Sequence, residues 1–132
     1  KVDCVIHLAG STGVRESHKN PKKYLDNNIK TTKRIFDHYK DTKILFASTS
    51  SVQDLKSPYA CSKYACELMA PENVVIIEDS LHGIQAALAS GAAVIAKTGS
   101  VPESDLSIAN RIITHLDEIT HNMIEDLLRG HK

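Results

Sequence analysis

Apolar residues fall in short β-branched runs separated by stretches of helical periodicity, and the two patterns alternate along the chain. The opening run, residues 1–10 (KVDCVIHLAG), ends on a glycine and reads as a parallel strand buried on both faces. Lys43-Ile-Leu-Phe-Ala-Ser48, residues 73–79 (NVVIIED) and Ala92-Ala-Val-Ile-Ala96 repeat that pattern, and residues 111–116 (RIITHL) give a shorter, more polar edge strand. Between them, Tyr24, Leu25, Ile29, Thr32, Ile35, Phe36 and Tyr39 share one helical stripe, which predicts a helix over about 21–40 opened by Pro21. Ser57-Pro58 predicts the start of a second helix running to about 70, Leu81 to Ser90 a third closed by Gly91, and Asp117 caps a last helix. Residues 10–20 read as a polar loop, and Asp105 to Asn110 as a single helical turn.

Strands alternating with helices, with no hairpin turns between them, call for a parallel sheet built from crossover connections. Covering both faces requires the strand order to reverse once. The expected fold is therefore an α/β, three-layer, doubly wound, five-stranded sheet, flavodoxin-like or Rossmann-like, of order 2-1-3-4-5, with 1-2-3-4-5 as the alternative. The hydroxyl- and glycine-rich loops would lie at the carboxyl ends of the strands, where open α/β sheets bind their ligands.

With 132 residues, 42% hydrophobic and 24% charged, the chain has the size of one domain, 1–132. Sixteen basic and sixteen acidic residues cancel, which leaves no long-range field to draw in nucleic acid or an anionic membrane. No apolar run is long enough to span a bilayer, and a soluble cytoplasmic protein is expected, as a monomer or as a homodimer joined through a sheet edge. Cys4, Cys61 and Cys66 lack metal-ligand spacing and read as buried reduced thiols; the seven histidines, among them His7, His18, His82 and His131, are scattered and predict no zinc site.

Residues 3–70 hold DCVIHLAGSTGVRES, NPKKYLDNNIKTTKRIFDH, KILFASTSSV and SPYACSKYACELMA. Together they resemble the middle of the extended short-chain dehydrogenases/reductases, the NAD-dependent nucleotide-sugar epimerase and dehydratase group. The resemblance implies Thr49 as the substrate-positioning hydroxyl, Tyr59 as acid/base and Lys63 as its activator, with Gly10 and Gly13 in the loop facing NAD. Lys63 follows Tyr59 by one helical turn, and an adjacent positive charge favours a tyrosinate able to take a proton from a sugar hydroxyl.

Residues 71–128 instead resemble the C-terminal part of haloacid-dehalogenase-like phosphatases, in the β-phosphoglucomutase-like branch, through EDSLHGIQAALASG at 78–91. That likeness implies Asp79, with Glu78 beside it, as a weak Mg²⁺ candidate; capping of the third helix by Asp79-Ser80 is the competing role. Each resemblance lacks its upstream partner: no GxxGxxG turn precedes the first, and no DxD nucleophile precedes the second. The expectation is therefore a recombined or engineered chimera with a seam near 70–71 and no native catalytic activity. On that reading Thr49, Tyr59, Lys63, Gly10 and Gly13 are vestiges, no cofactor (NAD or Mg²⁺) is held, and there is no specific partner. A residual NAD or nucleotide-sugar site and a weak phosphate or Mg²⁺ module are the alternatives.

Overall fold

The computed structural model describes residues 2–130, so Lys1 and His131 lie outside the described residues. All five strands join one parallel sheet: β1 (Cys4–His7), β2 (Lys43–Ala47), β3 (Val74–Glu78), β4 (Ala93–Lys97) and β5 (Arg111–Ile113). Their order is β1-β2-β3-β4-β5, which corrects the expected 2-1-3-4-5. Each strand is laid beside its predecessor, with Cys4 opposite Lys43, Ile44 opposite Val74, Val75 opposite Ala93 and Ile95 opposite Arg111. When every step goes the same way, crossovers of one hand leave all the connecting helices on one face.

That face carries α2 (Pro21–His38), α3 (Pro58–Leu68) and α4 (Leu81–Ala89). Because side chains alternate along a strand, Ile44, Phe46, Val74, Ile76, Val94 and Ala96 meet Phe36, Cys66, Ile84 and Ala87 there. The intervening residues Leu45, Val75, Ala93, Ile95 and Ile113 face the other way, where α6 (His121–Gly130) covers them with Ile124 and Leu127. One helix does not cover five strands. Next to the β1 edge, Ile6 is 64% and Leu8 70% exposed, beside a groove of about 450 Å³ lined by Cys4, Ile6, Leu8, Leu45, Ile77 and Ile124.

Two further departures are local. Residues read as polar loop contain α1 (Val14–Lys19), a six-residue helix entered through Gly13 at φ 105° and followed directly by α2. Asp117 lies in a 3-10 turn, Leu116–Glu118, rather than capping the last helix; Thr120 Oγ1 accepts from the Met123 N–H at 3.2 Å and caps α6. A short α5 (Glu103–Leu106) buries Leu106 against the α4 side of the core, and a 3-10 turn, Ser50–Gln53, follows β2.

Candidate active site

The carboxyl edge is assembled around α3, and the start of that helix is fixed by its own sequence. Ser57 Oγ accepts from the Ala60 N–H at 3.1 Å while Pro58 takes the first turn, where its missing N–H leaves nothing unpaired. Tyr59 and Lys63 are then set one turn apart, both half-buried. The Tyr59 ring meets Tyr24 of α2 edge-on, with centroids 6.3 Å apart.

The loop after β1 is tied to the same pair of helices. Asn28, 1% exposed, accepts from the Ser11 N–H at 2.6 Å and donates to the Ser11 carbonyl at 3.0 Å and to Ser62 Oγ at 2.9 Å. The Tyr24 hydroxyl donates to the Thr12 carbonyl at 2.6 Å, and Asn27 donates to Ser11 Oγ at 2.9 Å. A Cβ at Gly10 would come within 3.1 Å of Asn28 Oδ1, so glycine is what lets this loop close on α2. The structure thus brings Gly10, Gly13 and Tyr59 to one corner through Asn28 and Tyr24, neither of which the sequence singles out as a site residue, and Lys63 lies one turn further along α3.

Lys63 points its charge inward. Its Nζ donates to the Ala47 carbonyl at 2.5 Å and stands 4.0 Å from the centroid of the Phe46 ring. Desolvation pulls its pKa down, against the opposing pull of Cys66, Glu67 and Glu78. Thr49 is half-buried and caps the 3-10 turn, its hydroxyl oxygen accepting from the Ser51 N–H at 3.4 Å.

Beneath this corner lie groups that the sequence reading passed over. Glu67, one turn beyond Lys63, is fully buried; the Ser48 hydroxyl donates to its Oε1, and its Oε2 has no partner. Glu78, 3% exposed, accepts from the Asp79 N–H at 3.1 Å and from the Ser80 hydroxyl at 3.2 Å. Burial pushes both carboxyls up to about 7. His7 of β1 is also buried, sharing a hydrogen bond of 2.9 Å with Thr32 Oγ1; burial first, and then the Lys63 charge, lower its pKa. The signal for Glu67 was available, since it is the one charged residue in the stretch Tyr64-Ala-Cys-Glu-Leu-Met-Ala70.

Asp79 stands apart from Glu78. It is exposed and accepts from the Ser100 hydroxyl at 2.6 Å, while Ser80, not Asp79, caps α4 by accepting from the Gly83 N–H at 3.1 Å. Among the described residues no group of three or more His, Cys, Asp or Glu side chains is placed to share a metal ion. A pocket of about 500 Å³ lies at the opposite, amino edge of the sheet, lined by Lys43, Glu72, Asn73, Glu125 and Arg129.

A parallel α/β sheet with a hydroxyl-rich loop after β2 and a Tyr-x-x-x-Lys helix beside it is a Rossmann-like framework. Residues 1–73 match the NAD dependent epimerase/dehydratase family, and the chain belongs to that family. It is 40% identical over 86 aligned positions to a UDP-glucuronate 4-epimerase of Thermodesulfobacterium geofontis, covering 52% of this chain and 27% of that protein. It is 24% identical over 147 positions to a bifunctional UDP-glucose 4-epimerase and UDP-xylose 4-epimerase of Pisum sativum, covering 99% of this chain and 42% of the relative. Among solved structures, Pen from Bacillus thuringiensis superposes with a TM-score of 0.50 at 18% identity over 98% of this chain and 43% of that one, a likeness of fold. The chain therefore spans between 27% and 42% of the length of these curated relatives.

These matches overturn the expectation of a chimera without native activity. The Pisum sativum alignment runs across Ala70-Pro71 over 99% of the chain, and β2 and β3 on either side of that join are direct neighbours in the sheet. The expectation that no cofactor is held falls with it, because the family matched by residues 1–73 is NAD dependent.

Proposed function

We propose that this chain carries the tyrosine-lysine corner of an NAD-dependent epimerase/dehydratase site acting on a nucleotide-linked sugar. The observation that supports it most is the convergence of the Gly10–Gly13 loop and Tyr59 on one corner of the carboxyl edge, clamped by Asn28 and Tyr24, with Lys63 one turn further along α3.

The residues present fit the nicotinamide end of such a dinucleotide. A lysine ammonium has three donors, of which the Ala47 carbonyl takes one, and ribose hydroxyls are suitable acceptors for the others. Gly10 and Gly13 leave the loop without a side chain of its own at two of its four positions. When bound, the nicotinamide supplies a hydride acceptor. Tyr59 would take the proton from the sugar hydroxyl, Lys63 would stabilise the charge that develops on the phenol oxygen, and Thr49 would orient the hydroxyl.

Titration with NADH, followed by its fluorescence, tests the reading, with a UDP-sugar added in a second series. Saturable binding weakened at least about tenfold in Lys63→Met, equivalent to about 1.4 kcal/mol, is the expected result. Tyr59→Phe should leave NADH binding within about twofold, because the phenol acts on the sugar and not on the dinucleotide. Absence of saturable NADH binding by the wild-type chain would end the proposal.

A further inference from the structure

The residues just described leave one buried cluster unused. Ser48 follows β2 directly opposite Glu78 at the end of β3, because Ala47 pairs with Ile77 and the Ser48 N–H donates to the Ile77 carbonyl at 3.3 Å. On the α2-α3-α4 face, Phe46, Ser48 and Glu78 therefore lie next to one another, with Lys63 above the Phe46 ring and the Ser48 hydroxyl bonded to Glu67. Tyr59, Lys63 and Glu67 occupy successive turns of α3. Space for the Glu78 carboxyl exists only because residue 83 has no side chain: a Cβ there would lie 2.2 Å from Glu78 Oε2.

Burying two carboxyls needs a reason. Each loses its hydration, and an apolar pair of the same volume would pack at least as well. Glu67 Oε2 in particular has been taken out of water with no hydrogen bond in return. One turn from Glu67 on the same helix stands Lys63, itself half-buried with its ammonium against the Phe46 ring. Each carboxylate favours the charged form of that lysine, and Glu78 disfavours the charged form of Glu67.

We propose that Glu67 and Glu78 are positioning residues that act through Lys63: buried in the same cluster, their carboxyl groups hold its ammonium in the inner seat at the Ala47 carbonyl above the Phe46 ring. This rests on the reading of Lys63 as the partner of Tyr59. The consequence is a lysine held more firmly in its charged form once the pair has lost its protons. The other titratable groups facing the cluster are His7 from β1, Cys66 from α3 and Asp79 beyond β3; α4 presents the backbone of Gly83 and the capping hydroxyl of Ser80. Of these, His7 adds positive charge only when protonated, which its burial opposes.

The test is the titration of Lys63 itself in the whole chain, read from the ¹³Cε shift of labelled lysine and assigned by Lys63→Arg. In wild type the Lys63 resonance should show an inflection near the carboxyl midpoint of about 7, before its own titration at higher pH. Glu67→Gln and Glu78→Gln should each move the lysine midpoint downward, and Ser48→Ala, which withdraws a donor from the Glu67 carboxylate, should move the pair's inflection upward. A Lys63 resonance without that inflection in wild type overturns the inference even where a glutamine variant fails to fold. An inflection whose lysine midpoint stays put in every folded variant overturns it equally. NADH binding measured on the same wild-type sample keeps the two ideas apart: lost binding removes the functional reading, whereas an unresponsive lysine removes only the role of the glutamates.

Discussion

Gly83→Ala sets two effects of opposite sign against each other. Gly83 lies in the first turn of α4, where alanine is the better helix former by up to about 1 kcal/mol. On propensity alone the variant gains stability. The added methyl, however, would sit 2.2 Å from Glu78 Oε2, 2.3 Å from Cδ and 2.8 Å from Oε1, all inside van der Waals contact. Overpacking at a buried position costs about 1–3 kcal/mol. Moving the carboxyl also breaks its bonds to the Asp79 N–H and the Ser80 hydroxyl, for about 1–3 kcal/mol more. The expected net result is a loss of about 2–3 kcal/mol, the steric and polar terms outweighing propensity. Urea unfolding would show this as a lower midpoint with an unchanged slope. In a Glu78→Ala background the obstacle is gone, and the same substitution should be neutral or stabilising by up to about 1 kcal/mol. A Gly83→Ala protein as stable as wild type would refute the close approach of α4 to Glu78.

Stability should also depend on pH through the buried carboxyls. Glu67 and Glu78 are raised from 4.5 to about 7, so between those values the native chain holds protons that the unfolded chain has released. Their stabilising contribution is complete below 4.5 and is lost as pH rises through 7, on the order of 3 kcal/mol for one such group. Denaturant midpoints of Glu67→Gln measured from pH 5 to 8 should fall less steeply than those of wild type. Ser57→Ala should cost about 1 kcal/mol by uncapping α3, and Ser57→Asp should restore most of it. Asn28→Ala, which strands Ser11 and Ser62, should cost about 2 kcal/mol and speed amide exchange at Ser11. Ile6→Lys should suppress any concentration-dependent association seen by sedimentation, since Ile6 is exposed on β1, which among the described residues pairs only with β2.

Local patterns carried most of the fold. The runs around Ile44, Val75 and Val94 declared buried parallel strands, and Ser57-Pro58 declared the start of the helix that holds Tyr59 and Lys63. Strand order was not legible, because it depends on which way each crossover steps, and a run such as Ile44-Leu-Phe46 is equally apolar on either side of its neighbour. The expectation that both faces must be covered by connecting helices forced a reversal that α6 makes unnecessary for β3 to β5, at the expense of an exposed Ile6 and Leu8. α1 escaped notice because Val14-Arg-Glu-Ser-His-Lys19 has a single apolar residue and buries only Ser17. At the site, the Tyr59-Lys63 spacing was visible in the sequence, whereas the Ser48-Glu67-Glu78 cluster joins β2, α3 and β3 and exists only once those elements are packed. The reading of 71–128 as a separate inheritance rested on a local motif, and the physical content of that motif is now specific: Glu78 buried over Gly83, and Ser80 capping α4.

On the proposed function, a nicotinamide nucleotide is received at the carboxyl edge beside α3. Amide chemical-shift mapping of the wild-type chain during NADH titration tests it most directly. The account predicts saturable changes at Gly10 to Gly13, around Thr49 and at Tyr59 and Lys63, all following one binding curve. Saturable changes confined to the amino-edge pocket of Lys43, Asn73, Glu125 and Arg129, or no saturable change at all, would contradict it.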